Sequence, residues 1–189
     1  CFCLIYFKMF LEIKKAVNTL KKGGIIIYPS DTIWAIGCDA TNQEAINKIY
    51  KIKKRDINIP FICLVSDYQM LEKYVETDYK TFEIINSYDE PTTIIFEKTK
   101  NFKTFPNSVA LRIPKDSFCQ KLIKDFKKPI ISSSVNISGD KFPYFYRDIN
   151  KVILEKVDYE VKLKVDKKMN NPSRIIKINQ DYTSIIIRS

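Results

Sequence analysis

The stretch Ile25-Ile-Ile-Tyr-Pro-Ser-Asp-Thr32 joins four apolar residues to a proline and three polar side chains. The apolar run is continuous rather than alternating, which is typical of a strand buried on both faces. Gly23-Gly24 precedes it and ends the amphipathic helix that the spacing predicts over residues 9–22. Hydroxyls and a carboxylate at the end of a buried strand can bind a small polar ligand. A plain turn with hydroxyl–backbone bonds would use the same residues, so both interpretations stay open.

Strand and helix patterns alternate from this stretch through the first two thirds of the chain. Capping patterns that start at Thr41, Ser66 and Ser117 predict three helix beginnings. The predicted helices after the first are 43–54, a short one after 66, 117–126 and 148–157. The predicted strands after the first are 61–65, 92–96, 109–113, 130–133, 161–165, 174–178 and 184–188.

This order predicts a single α/β domain over residues 9–189. The last strands follow one another without helices, so part of the sheet is expected to be antiparallel. We therefore expect a mixed parallel/antiparallel, twisted open sheet with flanking helices. Ligands of such sheets bind where loops leave the strand ends.

Composition narrows the class of protein. The chain has 189 residues, of which 45% are hydrophobic, and this suits one folded domain rather than a disordered chain. Its net charge of +10 favours anionic partners such as ATP or RNA. A general bias of the amino-acid composition toward Lys would produce the same net charge without any anionic partner, and the presence of 4 Gly and no His also indicates a biased composition. No apolar run approaches the ~20 residues of a membrane helix, so no membrane partner is expected.

Five cysteines without any Cys-x-x-Cys spacing, in a chain without His, oppose both a zinc site and a secreted disulfide framework. We therefore predict a reducing, cytoplasmic location and no metal bound by the protein itself. The chain begins with Cys rather than Met. We expect residues 1–8 to be a non-native or disordered extension that precedes a natural start at Met9.

A basic segment, Lys51-Ile-Lys-Lys-Arg55, closes the helix predicted over 43–54. Cations also suit the negative end of a helix dipole, so a solvated helix end explains them as well as a function does. In the functional interpretation Lys53 and Arg55 clamp a phosphate, with Arg55 as a two-pronged donor. Two residues apart, they converge only if the helix ends there.

Arg112 lies inside the apolar strand predicted over 109–113. A buried guanidinium is costly unless it is paired. It has either a structural carboxylate partner or an anionic ligand.

The run Ser132-Ser-Ser-Val-Asn136 follows another apolar strand, and Gly139 closes the turn. Hydroxyls and backbone N–H groups here could hold phosphate or ribose. No Gly-Lys-Ser/Thr follows, so this is not a Walker A loop. Serine catalysis that uses His is excluded, because the chain has no His.

Taken in order, these motifs resemble the YrdC/YciO family of threonylcarbamoyl-AMP synthases over nearly the whole chain from Met9. The segments that carry the resemblance are Tyr28-Pro-Ser-Asp-Thr32, Lys53-x-Arg55, Pro91-Thr-Thr93, Val109-Ala-Leu-Arg-Ile-Pro114, Ser133-Ser-Val-Asn-Ile-Ser-Gly139, Asn171-Pro-Ser-Arg174 and Arg188. The resemblance implies a twisted sheet around a basic cavity. It also implies the synthesis of threonylcarbamoyl-AMP and pyrophosphate from L-threonine, bicarbonate and ATP. A separate complex would then transfer the threonylcarbamoyl group to adenosine 37 of tRNA.

The resemblance implies roles for three residues on the threonine and carbamate side. Thr32 is expected to contact threonine, and Arg112 its carboxylate or the carbamate. Ser134 is expected to contact the carbamate as well as the nucleotide.

On the ATP side, Lys53 and Arg55 are expected to hold the phosphates. Asn136 is expected to contact the nucleotide, and Ser173 and Arg188 to close over it. Lys53, Arg55 and Arg112 would be the catalytic cations, and Mg²⁺ would be carried by the ATP phosphates.

The sequence departs from the family pattern at Ile59, Asp89-Glu90 and Val135, and Leu64 suggests the short form. Two alternatives remain: a YciO-like paralogue with another acceptor, or a non-catalytic module that binds double-stranded RNA or tRNA. The general base is unassigned, with Asp31 as a candidate.

Overall fold

Helices and strands alternate through most of residues 2–189, the part of the chain that this computed structural model describes. The strands are β1 (Ile26–Pro29), β2 (Trp34–Gly37), β3 (Ile62–Leu64), β4 (Thr92–Phe96), β5 (Val109–Arg112), β6 (Ile130–Ser134), β7 (Tyr159–Glu160), β8 (Arg174–Ile178) and β9 (Ser184–Arg188). The helices are α1 (Phe2–Lys21), α2 (Gln43–Lys53), α3 (Tyr68–Tyr74), α4 (Tyr79–Ser87), α5 (Ser117–Phe126) and α6 (Lys151–Leu154), and a 3₁₀ turn spans Tyr146–Asp148.

Within the described residues, the nine strands form one sheet in the order β7-β1-β2-β6-β3-β5-β4-β8-β9. The pairs β1/β7, β3/β5 and β4/β8 are parallel, and the other neighbours are antiparallel. The predicted mixed open sheet with flanking helices is therefore confirmed. The central strands β1, β2, β3 and β6 carry mostly buried residues, as their unbroken apolar runs indicated.

Helix α1 covers one face of the sheet and packs against α5, β1 and β7. Its buried apolar side chains are Ile13, Ala16, Val17 and Leu20, which recur at the three- and four-residue spacing of one helix face. Each of the larger three stabilises the fold by roughly 1.5–3 kcal/mol when it is fully buried. This helix and the sheet together form the core beneath the polar strand ends.

Three helices begin with a different cap from the one predicted. In each case the N-cap is the Asn or Asp next to the predicted Ser or Thr in the sequence, and its side chain accepts a hydrogen bond from a first-turn N–H group. These N-caps are Asn42 on α2, Asp67 on α3 and Asp116 on α5. Asn and Asp are as good as Ser and better than Thr at this position. Ser66 instead donates a hydrogen bond to Asp67.

The C-terminal third differs most from the sequence-based prediction. The strand predicted over 161–165 is absent from the described chain, and a short strand, β7, lies just before it. Lys164 has a left-handed backbone with φ of 55°, which is incompatible with a continuous strand. The helix predicted over 148–157 is only the short α6, while β2 and α4 were not predicted.

Helix α1 begins at Phe2, so residues 2–8 continue a helix rather than forming a disordered extension. Cys1 lies outside the described residues, and the start at Met9 stays a prediction. Leu4, Phe7 and Phe10 are exposed on this helix. Nevertheless, none of the helices described is both long and apolar enough to cross a membrane.

Candidate active site

A cavity of about 370 Å³ lies where residues of β3, β4, β5, β6, β8 and β9 meet the turn after β1 and the loop after α2. Six of the eight candidate residues line it, and these are Thr32, Arg55, Arg112, Ser134, Ser173 and Arg188. A larger hollow of about 890 Å³ beside β8 contains none of the eight. Because six of the candidate polar residues converge in the smaller cavity from distant parts of the chain, we identify that cavity as the site.

Sheet order brings these residues together. Ser134 ends β6 opposite Ala35 of β2, and Arg112 ends β5 next to Leu64 of β3. Thr32 lies in the turn between β1 and β2. The register places Arg112 level with the start of β6, whereas Ser134 ends that strand, and the paired residues Ala110, Ile62 and Ser132 also line the cavity. The site therefore lies on a face of the sheet and not at the strand ends that the sequence suggested.

Arg112 has a carboxylate partner. Its Nη1 donates to Asp31 Oδ1, and the two side chains are only 3% and 9% exposed. Asp31 Oδ2 also accepts the backbone N–H of Lys115 at 3.0 Å. Of the two interpretations of Arg112, the structural ion pair is therefore present, and Asp31 is already paired rather than free to act as a base.

The ion pair still leaves part of Arg112 available to the cavity. Nη2 lies 3.4 Å from Thr32 Oγ1, and the buried Nε has no hydrogen-bond partner within the described residues. A buried N–H without a partner is costly, so an oxygen ligand that reaches Nε would recover that cost.

The turn after β1 depends on Ser30. Its hydroxyl donates to Ile33 O at 2.7 Å and accepts the N–H groups of Thr32 and Ile33, each at 3.1 Å. Ser30 and Thr32 hydroxyls are 2.9 Å apart. The plain-turn interpretation is thus correct for Ser30, while Thr32 lines the cavity.

Arg55 lines the opposite wall on a short loop after α2. Its Nε donates to Ile59 O at 3.1 Å and its Nη2 to Pro60 O at 3.2 Å. The guanidinium lies 5.1 Å from the centre of the Phe61 ring. Burial lowers the pKa of Arg55 from its usual value, although an arginine stays charged. The two carbonyls orient a permanent cation beside the cavity.

Lys53 does not line the cavity, which differs from its predicted place beside a phosphate. It is 1% exposed, and its Nζ donates to Ser134 O, to Asn136 O at 2.7 Å and to Asn136 Oδ1 at 3.2 Å. Burial, and then the charge of Arg55, lower its pKa to about 7. Helix α2 ends at Lys53, and Lys54 adopts a left-handed conformation. The chain turns there, so Lys53 and Arg55 diverge instead of converging.

Asn136 is also absent from the cavity wall. Its Oδ1 accepts the Ser134 hydroxyl at 2.5 Å, and its Nδ2 donates to Asp140 O at 2.6 Å. Ser134 lines the cavity together with Ser132 and Ser133, which had not been assigned a role. Strand alternation places Ser132 on the same face of β6 as Ser134 and so could have identified it, whereas alternation does not identify Ser133.

Ser173 and Arg188 form the third wall. Arg188 donates to Ser173 O from Nε at 3.1 Å and from Nη2 at 2.7 Å, and the Ser173 hydroxyl lies 2.8 Å from that of Thr93. Burial, followed by the charge of Arg112, lowers the pKa of Arg188. The ion pairs found among the described residues include neither Arg55 nor Arg188. The cavity therefore keeps positive charge that can attract an anion.

The residues at this site do not offer a cage for a metal ion. Within the described residues, no three His, Cys, Asp or Glu side chains lie close enough to hold one. Asp31 is the acidic side chain next to the cavity, and Arg112 and Lys115 occupy both of its oxygens.

Comparisons with known proteins identify the family of this chain. The Sua5/YciO/YrdC family model, described as telomere recombination, matches residues 18–189. A putative threonylcarbamoyl-AMP synthase of Methanocaldococcus jannaschii is 34% identical over 177 residues, which are 90% of this chain and 84% of the relative.

Two solved structures have the same fold. Escherichia coli YciO superimposes with a TM-score of 0.79 and 23% identity over 94% of this chain and 88% of that protein. P. abyssi Sua5 in complex with L-threonine gives 0.79 and 20% identity over 93% of this chain, which spans 53% of that longer protein. Because the family model matches most of the length of this chain, the chain belongs to the Sua5/YciO/YrdC family.

Proposed function

We propose that this chain is a threonylcarbamoyl-AMP synthase, a nucleotidyltransferase that converts L-threonine, bicarbonate and ATP into threonylcarbamoyl-AMP and pyrophosphate. The observation that carries the proposal is the cavity in which Thr32, Arg112 and Ser134 meet Arg55 and Arg188. The similarity to the synthase of M. jannaschii supports it independently.

The reaction requires two bonds to form in sequence. The neutral threonine amine first attacks the carbon of CO2 and loses a proton, or attacks bicarbonate with loss of water, and either route gives a carbamate. A carbamate oxygen then attacks the α-phosphorus of ATP, and the bond from that phosphorus to the bridging oxygen of pyrophosphate breaks. Catalysis of this step depends on positioning and on charge stabilisation.

We assign threonine and the carbamate to the Thr32–Arg112 wall. Asp31 fixes the guanidinium, so that Nη2 is directed to the Thr32 hydroxyl. A carboxylate or carbamate bound there can accept hydrogen bonds from Arg112 and Thr32. The ion pair thus orients the donor before the substrate arrives, which reduces the cost of ordering on binding.

We assign the ATP phosphates to the two remaining arginines. Arg55 and Arg188 lie on different walls of the same cavity. Guanidinium groups offer two parallel N–H donors to phosphate oxygens and stabilise the charge on departing pyrophosphate. Ser134 and Ser173 would bind the nucleotide through hydroxyls and backbone groups.

Mg²⁺ would enter with ATP, coordinated by phosphate oxygens and water. Such a mode suits Mg²⁺, which keeps several waters and is often bound mainly through substrate phosphates. It also fits a cavity whose neighbouring carboxylate, Asp31, is already paired.

The product would serve N6-threonylcarbamoylation of adenosine 37 in tRNA, through a separate transferase complex in the cytoplasm. Two other functions would use the same basic cavity. One is a YciO-like paralogue with a different acceptor. The other is a non-catalytic module for tRNA or double-stranded RNA.

Pyrophosphate release tests these functions. The purified chain is incubated with MgATP and bicarbonate, with and without L-threonine, and the nucleotide product is identified by mass spectrometry. We expect threonine-dependent release and a product with the mass of threonylcarbamoyl-AMP. Threonine-independent release would instead support the paralogue, and salt-sensitive RNA binding without turnover would support the binding module.

A further inference from the structure

We propose that Lys53 is a positioning residue that holds the Ser134–Asp140 loop against the cavity, and that it does not contact a phosphate. Only the expected loss of kcat in Lys53 variants rests on the proposed synthase function. The structural part concerns the ligand-free protein and can be tested separately.

The first argument is the saturation of the ammonium group. A lysine ammonium has three N–H donors. Three oxygens of the loop accept from Nζ, namely Ser134 O, Asn136 O and Asn136 Oδ1. A phosphate could gain a hydrogen bond from Lys53 only by displacing one of these buried oxygens, which would then lose its partner.

The second argument is burial. Lys53 is 1% exposed and is absent from the residues that line the cavity, whereas Arg55, two residues later, lines it. A buried charge is tolerated only when it is well paired. Since the structure supplies oxygen partners within one loop, the ammonium has a complete site without ATP.

The third argument is that backbone and side chain of the same residue hold the same loop. The Ser138 N–H donates to Lys53 O at 2.8 Å, while Nζ reaches Ser134 and Asn136 at the start of the loop. The end of α2 is thereby attached to the loop at both its beginning and its middle.

The connection from Lys53 to the cavity passes through Asn136. Its Oδ1 accepts from Lys53 at 3.2 Å and from the Ser134 hydroxyl at 2.5 Å. Ser134 lines the cavity, but Asn136 does not. Loss of the ammonium would free the amide of Asn136 and with it the orientation of the Ser134 hydroxyl. A displacement of about 1 Å in a substrate-positioning group can lower the rate ~100-fold.

Hydrogen exchange tests the structural part in the ligand-free protein. Lys53→Met removes the donors at similar volume, and Lys51→Met is the matched control because Lys51 is an exposed lysine of the same helix. We expect faster amide exchange at 135–140 in Lys53→Met and no change in Lys51→Met. The N–H groups of residues 135, 136, 138 and 140 are hydrogen-bonded in the wild type. Unchanged exchange at 135–140 in a folded Lys53→Met protein would overturn the proposal.

A double-mutant cycle tests the kinetic part. We expect Lys53→Met and Asn136→Ala each to lower kcat for threonine-dependent pyrophosphate release at least tenfold, with less than a threefold change in KM for ATP. The double variant should be within about threefold of the worse single variant, since both act through one loop. If the reductions in kcat of the two single variants multiply in the double variant, or if KM for ATP rises while kcat is unchanged, Lys53 has an independent phosphate contact and the proposal is overturned.

If Lys53→Met does not fold, Lys53→Gln takes its place in both experiments, since its amide retains two donors. A wild-type chain that releases no threonine-dependent pyrophosphate would refute the synthase function. The exchange experiment would still decide whether Lys53 holds the loop.

Discussion

Arg112 and Asp31 form a buried ion pair between β5 and the turn that follows β1, 81 residues apart in the chain. The pair joins the turn that carries Thr32 to the strand that carries the guanidinium. A substitution that breaks the ion pair is therefore expected to affect both the stability of the fold and the cavity.

Asp31→Ala should lower the free energy of unfolding by about 3–5 kcal/mol, because it leaves the Arg112 charge buried and unpaired. Urea denaturation followed by circular dichroism measures this change. Glu76→Ala is the matched control, since it breaks the exposed ion pair with Lys98, whose partners are 57% and 77% exposed. That control should cost no more than about 1 kcal/mol. Equal losses of unfolding free energy in the two variants would contradict the view that burial makes the Arg112–Asp31 pair costly to break.

Arg55→Ala should reduce threonine-dependent product formation more than tenfold and leave the fold intact, since the half-buried Arg55 side chain donates its hydrogen bonds to the nearby loop carbonyls of Ile59 and Pro60. Initial rates of pyrophosphate release, with circular dichroism, check this. Lys51→Ala, an exposed charge removed from the same segment, should keep the wild-type rate. A wild-type rate in Arg55→Ala would remove Arg55 from the site.

Arg112→Ala should also reduce product formation more than tenfold, but the structure adds a second effect. Because Asp31 would keep a buried, unpaired charge, we expect a lower unfolding midpoint as well. The double variant Arg112→Ala/Asp31→Ala should recover part of the stability and none of the activity. Recovery of activity in that variant would contradict the role of Arg112 in binding substrate.

Stability should depend on pH through Lys53. Burial lowers its pKa to about 7 in the folded chain, whereas the unfolded chain keeps the proton to a pH of about 10.4. The unfolded chain therefore binds more protons above pH 7, so the free energy of unfolding gains from Lys53 as pH rises from 6 to 8.5. The gain is at most about 1.4 kcal/mol per pH unit.

The difference between wild type and Lys53→Met in urea denaturation at each pH isolates this contribution. The range ends at pH 8.5 because buried cysteines with raised pKa act in the opposite direction above it; these are Cys38, Cys63 and Cys119. Parallel curves for the two proteins would show that Lys53 does not titrate in this range.

Gly37→Ala should destabilise the fold by about 1–3 kcal/mol or more through overpacking. A Cβ at Gly37 would lie 2.2 Å from Ile131 O of β6 and 2.9 Å from Tyr28 Cε1. Thermal unfolding measures the loss. Gly139→Ala separates crowding from backbone strain, since a Cβ there meets nothing within 4 Å while φ is +94°. A Gly37→Ala protein as stable as wild type would contradict the close packing of β2 on β6.

Local patterns were sufficient for much of the fold. The unbroken apolar run before Pro29 predicted a buried strand, and β1 is buried throughout. The predictions failed where the pattern was ambiguous. The alternating residues 161–165 suggested a strand, but the positive φ of Lys164 prevents one. The four-residue β2 was missed because it follows a turn directly.

The candidate residues divide in the same way. Motif order led to eight residues, and six of them line one cavity. Lys53 and Arg55 looked equivalent, because both are cations at a helix end. Their separation depends on the left-handed Lys54 and on the loop that buries Lys53, and neither is visible in local spacing.

The sequence by itself determined most of the buried strands, most helices and the ordered motifs that indicate the family, because these depend on residues close together in the chain. Only the tertiary structure decided that Asp31 pairs with Arg112, that Ser133 lines the cavity, and that Lys53 lies behind its wall. The strand order β2-β6-β3-β5 creates these contacts. That order follows from hydrogen bonding and packing between distant segments, which local patterns do not encode.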